Sequence, residues 1–256
     1  MENVLTEVKD RVGIIVLNRP DVRNALSTEM IVELSQAFVE MEANELVKVI
    51  VLKAAGSVFC SGIDLNKMKE MQGQPWGVNL QDAKQLEHLY RTIYTLKKVV
   101  IAQVQGHALA GGCGLATIAD FCFSVPEAKF GYPEVKIGFV PSIVALFLKR
   151  KIGGKARPLL LSGDSISAEK AVNIGMIYEL ADAHSIEQRT WEFAQHLCHT
   201  NSPQAMALTK QLLFRIQNMN FGEALAYTAE QNVDARLTED CKKGVQDFLD
   251  KKAIEW

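Results

Sequence analysis

Two β-rich runs, "VGIIVLN" at residues 12–18 and "VKVIVLKA" at 47–54, flank "STEMIVELSQAFVEME", in which apolar residues recur every three or four positions. Short apolar runs are strand signals and the 3–4 period is a helix signal, so this segment reads strand, helix, strand. Ser27 or Thr28 can cap the helix, and acidic residues in its first turn suit the positive end of its dipole. The pattern returns with "VVIAQV" at 99–104, a helix after Gly112, "FCFSV" at 121–125 and "IYEL" at 177–180. A chain that alternates in this way can only be placed in the α/β class. Beyond about residue 185 the strand signals stop, and "SIEQRTWEFAQHLCHT", "SPQAMALTKQLLFRIQ", "FGEALAYTAEQNVDARL" and "EDCKKGVQDFLDKK" follow as successive helical patterns. The polar, glycine-interrupted stretch at 66–83 reads as a mobile loop beside a pocket.

With 256 residues and 48% hydrophobic side chains, the chain can bury a substantial core. A formal net charge of -2 gives no electrostatic support for a nucleic-acid surface, which turns the search toward a small-molecule site. The first twenty residues carry acids ahead of their apolar run, unlike a signal or transit peptide, and no stretch approaches a membrane span. Five cysteines without a C-x-x-C pair fit reduced thiols, and the expected location is cytoplasmic. His196, Cys198 and His199 of "HLCH" have no second ligand group nearby in sequence, so no metal site is expected.

Three stretches carry chemistry. "GHALAGGCGLATIAD", residues 106–120, places four glycines in nine positions at the start of an apolar helix. Gly111 and Gly112 can bring a ligand close to the backbone, and the first amides of a helix are unpaired donors at its positive end. The same glycines could equally serve close packing of helix on sheet. "VFCSGIDL", residues 58–65, breaks at Ser61-Gly62 and offers a second exposed amide or an ordinary turn. Two such amides could hold one oxyanion. In "FGYPEVKIGFVP", residues 130–141, Glu134 stands among Tyr132, Val135 and Ile137, where burial would raise its pKa toward that of a general acid or base. Its alternative fate is a surface ion pair with Lys136.

These stretches, in this order and with "LNRPDVRNALS", "GGKARPLLLSGDSISAEKAVNIGMI" and the terminal "EDCKKGVQDFLDKK", resemble the crotonase (enoyl-CoA hydratase/isomerase) superfamily over nearly the whole chain. The resemblance implies a spiral of ββα units over residues 1–195, followed by a helical oligomerisation region, 196–256, that builds homotrimers or hexamers. It implies acyl-CoA thioesters as ligands, with coenzyme A part of the substrate and no separate cofactor. The thioester oxygen would sit between the amides of Ile63 and Gly111. Arg23, Ala25 and Leu26, with Cys60, Ser61, Asp64 and Leu65, fall where the family grips CoA, and Lys251 or Lys252 would reach a neighbouring subunit's CoA.

Typical hydratases of the family carry two catalytic glutamates, and the places of these hold Gly114 and Glu134 here. One acid can move a single proton, as in isomerisation of 3-enoyl-CoA to 2-enoyl-CoA; it can position a water for hydration; or it can leave an oxyanion hole to stabilise the enolate formed by decarboxylation. "EVKIGFVPSIVALFLKRKIG" is similar to hydratases of 3-methylglutaconyl-CoA and to dehydratases of 3-hydroxy-3-methylglutaryl thioesters, subgroups that also lack the first glutamate. A substrate with its own carboxylate needs a polar partner, for which Tyr90, Arg91 and Tyr132 are candidates. The expected activity is hydration of an α,β-unsaturated acyl-CoA, with isomerisation and a non-catalytic CoA-binding role as alternatives.

Overall fold

A computed structural model describes residues 2–256. Strands β1 (Val4–Lys9) and β2 (Val12–Leu17) form a hairpin, and α1 (Thr28–Ala43) carries the chain to β3 (Val49–Ala54). Helices α2 (Leu65–Met71) and α3 (Trp76–Thr95) lead to β4 (Val99–Val104), then β5 (Ala108–Leu109), α4 (Gly111–Ile118), β6 (Phe121–Ser124) and β7 (Lys129–Gly131). The remaining elements are α5 (Ser142–Ile152), α6 (Ala156–Ser162), β8 (Ile166–Ser167), α7 (Ala168–Asn173), β9 (Glu179–Leu180) and four helices, α8 (Ile186–Thr200), α9 (Pro203–Ile216), α10 (Phe221–Leu237) and α11 (Glu239–Leu249).

The large sheet has the order β1-β2-β3-β4-β6-β9, antiparallel only at the first pair. Parallel neighbours require crossovers, which α1 and the α2–α3 pair supply. Its central strands are apolar on both faces, as burial on both sides demands: all six residues of β4 are buried. Ser27 caps α1 by accepting from the Met30 N–H, as the sequence predicts.

A small second sheet, β5-β7-β8, is extended by parallel bridges between Cys60 and Ala108 and between Leu26 and Ile63. Each pass of the chain thus lays a strand in the large sheet, touches the smaller layer, and then turns into a helix. This repeated step is the expected ββα spiral. It sends the segments ending at Leu26, Ile63, Leu109 and Gly131 to one layer, immediately before a helix begins.

The stretch at 66–83 is a correction to the expected mobile loop: it is helical, forming α2 and the start of α3. Asp64 caps α2 through the Asn66 N–H, and the Asn79 side-chain amide donates to the carbonyls of Met71, Gln74 and Pro75, tying the two helices together. Periodicity missed them because α2 buries no residue fully and α3 buries only Leu89, Tyr90 and Ile93 near its end. Position 195 lies inside α8, which packs on β2, β3, β4 and β6, so the large sheet keeps its cover as far as Thr200. Among the described residues no helix is long and apolar enough to cross a membrane, and all five cysteines are free.

Candidate active site

The site is assembled from the same step of three successive turns. The first piece is the turn after Cys60. Gly62 takes φ +99°, a left-handed conformation that favours glycine, and a β-carbon there would lie 2.6 Å from the Ala110 β-carbon and 3.3 Å from the Gly111 nitrogen. The Gly62 carbonyl accepts from Leu26, and the Asp64 N–H donates to the Leu26 carbonyl. This parallel bridge leaves the intervening Ile63 N–H on the far side from Leu26.

The second piece is the start of α4. Ala110 precedes it at φ 50°, ψ -126°, a backbone conformation costly for a residue with a side chain, and no side chain caps the helix. Among the described residues, no group accepts from the N–H of Ile63 or of Gly111. Two unpaired amides therefore stand at adjoining turns, one of them at the positive end of a helix. Gly112 has the packing duty that glycines at such a junction also serve: a β-carbon would lie 2.3 Å from the Cys60 carbonyl oxygen.

The third piece is Glu134, on a single 3-10 turn, Pro133–Ile137, directly after β7. Its residue is 8% exposed, and its Oε2 is out of solvent with no partner among the described residues. Lys136, the rival partner suggested by sequence, instead donates to Asp164 at 2.7 Å. Burial pushes the Glu134 carboxyl above its ordinary value, while a hydrogen bond with its own backbone acts weakly the other way. Its charge reaches Tyr90 and Cys113, whose own pKa values are raised chiefly by burial. The pairing of β7 with β5, and the Ala110 N–H donating to the Gly131 carbonyl at 2.8 Å, bring the turn of Glu134 alongside the start of α4.

At Gly114, the position of the absent first glutamate, a β-carbon would lie 2.5 Å from Val144 Cγ1 and 2.8 Å from both Cε1 and the hydroxyl of Tyr90. The space is filled by a valine of α5 and a tyrosine of α3. Tyr90 is fully buried and its hydroxyl donates to the Gly111 carbonyl, while Tyr132, also fully buried, pairs with Thr117 at 3.1 Å. Arg91 faces outward beside Glu87. The two tyrosines are thus buried and hydrogen-bonded, and the exposed Arg91 is paired with Glu87.

The residues expected to grip CoA divide. Arg23 is exposed in a left-handed turn (φ 55°), and its carbonyl accepts from the Ser61 N–H; Leu65 is 62% exposed. Ser61 and Asp64 are half-buried, and Asp64 also pairs with Arg19 at 3.6 Å. Ala25, Leu26 and Cys60 are buried, so ligand contact there would run through the backbone; the Cys60 thiol donates to Asn24 and is pushed up to about 12 by burial. Asn24 is the residue that sequence reading passed over. Fully buried, it donates to the carbonyls of Ala55 and Val58 and accepts from the Arg19 N–H, locking this loop to the next turn of the spiral. An asparagine between Arg23 and Ala25 was the available signal.

Fold and site together define an α/β spiral with amide donors and a buried acid at the helix starts of successive turns. The family model for enoyl-CoA hydratase/isomerase matches residues 7–256, and the chain belongs to that family and is an enzyme of it. A Thermus thermophilus relative is 34% identical over 245 residues, covering 95% of this chain and 96% of its own. The short-chain-enoyl-CoA hydratase of Clostridium acetobutylicum is 31% identical over 261 residues, covering 100% and 97%. Among solved structures, an enoyl-CoA hydratase from Shewanella pealeana superposes with a TM-score of 0.93 at 30% identity, covering 99% of this chain and 96% of that one.

Proposed function

We propose that the chain hydrates, or reversibly dehydrates, an α,β-unsaturated acyl-CoA with one carboxyl group. The Ile63 and Gly111 amides hold the thioester oxygen as negative charge develops on it, and Glu134 serves as both acid and base. The observation that carries this reading is the buried, unpartnered Oε2 of Glu134, on the turn after the strand whose Gly131 carbonyl accepts from Ala110, the residue before the unpaired Gly111 amide. Leaving a carboxylate without a partner costs free energy, which suits a group whose partner is a reacting proton. Such a site needs no further cofactor, because CoA arrives with the substrate.

In hydration, Glu134 takes a proton from the attacking water as oxygen bonds to C3. The thioester becomes an enolate under the two amides, and the same glutamic acid returns the proton to C2. Arg23, at the exposed edge, is the side chain suited to CoA phosphate; Ser61, Asp64 and Leu65 line the path, and Ala25, Leu26 and Cys60 contribute backbone. We take 3-methylglutaconyl-CoA as the first substrate to test, on the likeness of the segment after Glu134, and the cytoplasm as the working location. C-terminal association into trimers or hexamers completes the reading.

The filled space at Gly114 favours a second reading, isomerisation of 3-enoyl-CoA to 2-enoyl-CoA. A single glutamate can lift the proton from C2 and deliver it to C4 in the forward reaction, passing through the enolate held by the two amides, and do the converse in the reverse one. Mass spectrometry of products from 3-methylglutaconyl-, crotonyl- and 3-enoyl-CoA decides. A gain of one water supports hydration, whereas conversion of the 3-enoyl thioester without water uptake replaces it with isomerisation.

A further inference from the structure

Helix α4 begins without a side-chain cap and after a strained residue, yet the amide at its first position has to be held to within a fraction of an ångström if it is to meet an oxyanion. Two contacts hold this junction from outside. The Ala110 N–H donates to the Gly131 carbonyl at 2.8 Å, and the Tyr90 hydroxyl, reaching across from α3, donates to the Gly111 carbonyl. Tyr90 is itself fixed: it is fully buried, and its ring stacks on Phe147 of α5 with centroids 5.8 Å apart and planes 22° from parallel. A β-carbon on Gly111 would lie 3.4 Å from the same hydroxyl, so ring and helix start are in contact.

We infer that Tyr90 is a positioning residue for the oxyanion hole, setting the first turn of α4 against the Ile63 turn from inside the space that Gly114 leaves open. It touches no substrate. Its effect runs through the Gly111 backbone, and the inference rests on Gly111 being an oxyanion donor. Because the missing β-carbon at 114 is what admits the phenol, this tether and a side chain at position 114 exclude one another.

The test uses the full chain and crotonyl-CoA carrying ¹³C at the thioester carbonyl. Infrared difference spectra are taken on Glu134→Gln, in which turnover is slowed, and on Glu134→Gln with Tyr90→Phe. A carbonyl band lowered on binding to the first protein, and lowered by clearly less in the second, is expected. In parallel, Tyr90→Phe with Glu134 intact should lose about tenfold in kcat with KM within twofold, part of the hundredfold or more that deletion of an oxyanion donor costs. An equal band shift in both proteins, or a loss confined to KM, overturns the role of Tyr90 and leaves the oxyanion reading standing. No shift in the first protein overturns both. Phe147→Leu keeps the hydroxyl and loosens the ring, and should give a smaller loss of shift in the same direction. If Tyr90→Phe does not fold, an unchanged shift in Phe147→Leu overturns the proposal.

Discussion

At the scale of single residues, the proposed hydration rests on the Glu134 carboxyl, buried and without a partner among the described residues. Glu134→Gln preserves shape and removes the proton carrier, so kcat should fall by on the order of a hundredfold or more on the true substrate, measured by product formation. The acidic limb of the kcat/KM profile should disappear with it, because that limb reports a carboxyl whose pKa burial has raised. Stability should move the opposite way. An acid whose pKa is higher in the folded chain than its ordinary 4.5 binds its proton more tightly when folded, so its contribution is full below that value and is lost as pH rises through the raised one. Glu134→Gln should therefore melt at a higher temperature than the parent at neutral pH, with the difference closing below pH 4.5. An unchanged melting difference across that range would mean the carboxyl is not held out of water. The sequence showed this residue's apolar neighbours but left its partner open between solvent, Lys136 and substrate. The fold removes one of these by drawing Lys136 to Asp164. Asn24 was illegible for a related reason: beyond its local partner Arg19, its partners Ala55 and Val58 meet it only after a full turn of the spiral.

At the scale of elements, the wedge among α3, α4 and α5 leaves no space for a side chain at position 114. Gly114 faces Tyr90 and Val144 so closely that even alanine overpacks it, a change that costs about 1–3 kcal/mol in a filled core. Gly114→Ala should thus lower the melting temperature by roughly 2–4 °C for each kcal/mol lost. Val144→Ala in the same chain, by removing the nearest contact at 2.5 Å, should return part of that loss, and a double-mutant cycle measures the coupling. Gly114→Glu should be less stable than Gly114→Ala and should not raise hydration activity, since no room remains for the added carboxyl. Additive losses in the cycle would show that the wedge does not control this position. Element types were well marked wherever at least one face is buried, as in α1, β3 and β4. They were poorly marked in α2 and α3, which hold their place through an Asp64 cap and an Asn79 clamp while showing most of their surface to solvent. The backbone bridges at Leu26–Ile63 and Cys60–Ala108 have no side-chain period at all, which is why a turn at Ser61-Gly62 was readable and its parallel pairing was not.

At the scale of the molecule, the last three helices leave large apolar side chains uncovered within the chain. Helices α9, α10 and α11 bury no residue fully within the chain. Phe221 is 84% exposed, Phe248 75%, Leu249 69% and Leu237 65%. A monomeric surface seldom leaves so many large apolar side chains in one region, whereas an association face does so routinely. The hydrophobic effect then predicts that copies of the chain cover one another there, and closed rotational symmetry is the arrangement that leaves no copy with an open face. Light scattering after size exclusion should give three or six times the chain mass at micromolar concentration. Phe248→Asp combined with Leu237→Asp places charges where burial is expected, and should shift the mass toward a single chain. The large sheet is covered by α1 and α8 of the same chain, so the dissociated protein should keep its far-ultraviolet circular dichroism while its melting temperature becomes lower and independent of concentration. A parent protein that already runs as a monomer at that concentration would refute the association, and the exposed leucines and phenylalanines of the C-terminal helices would then require a different partner.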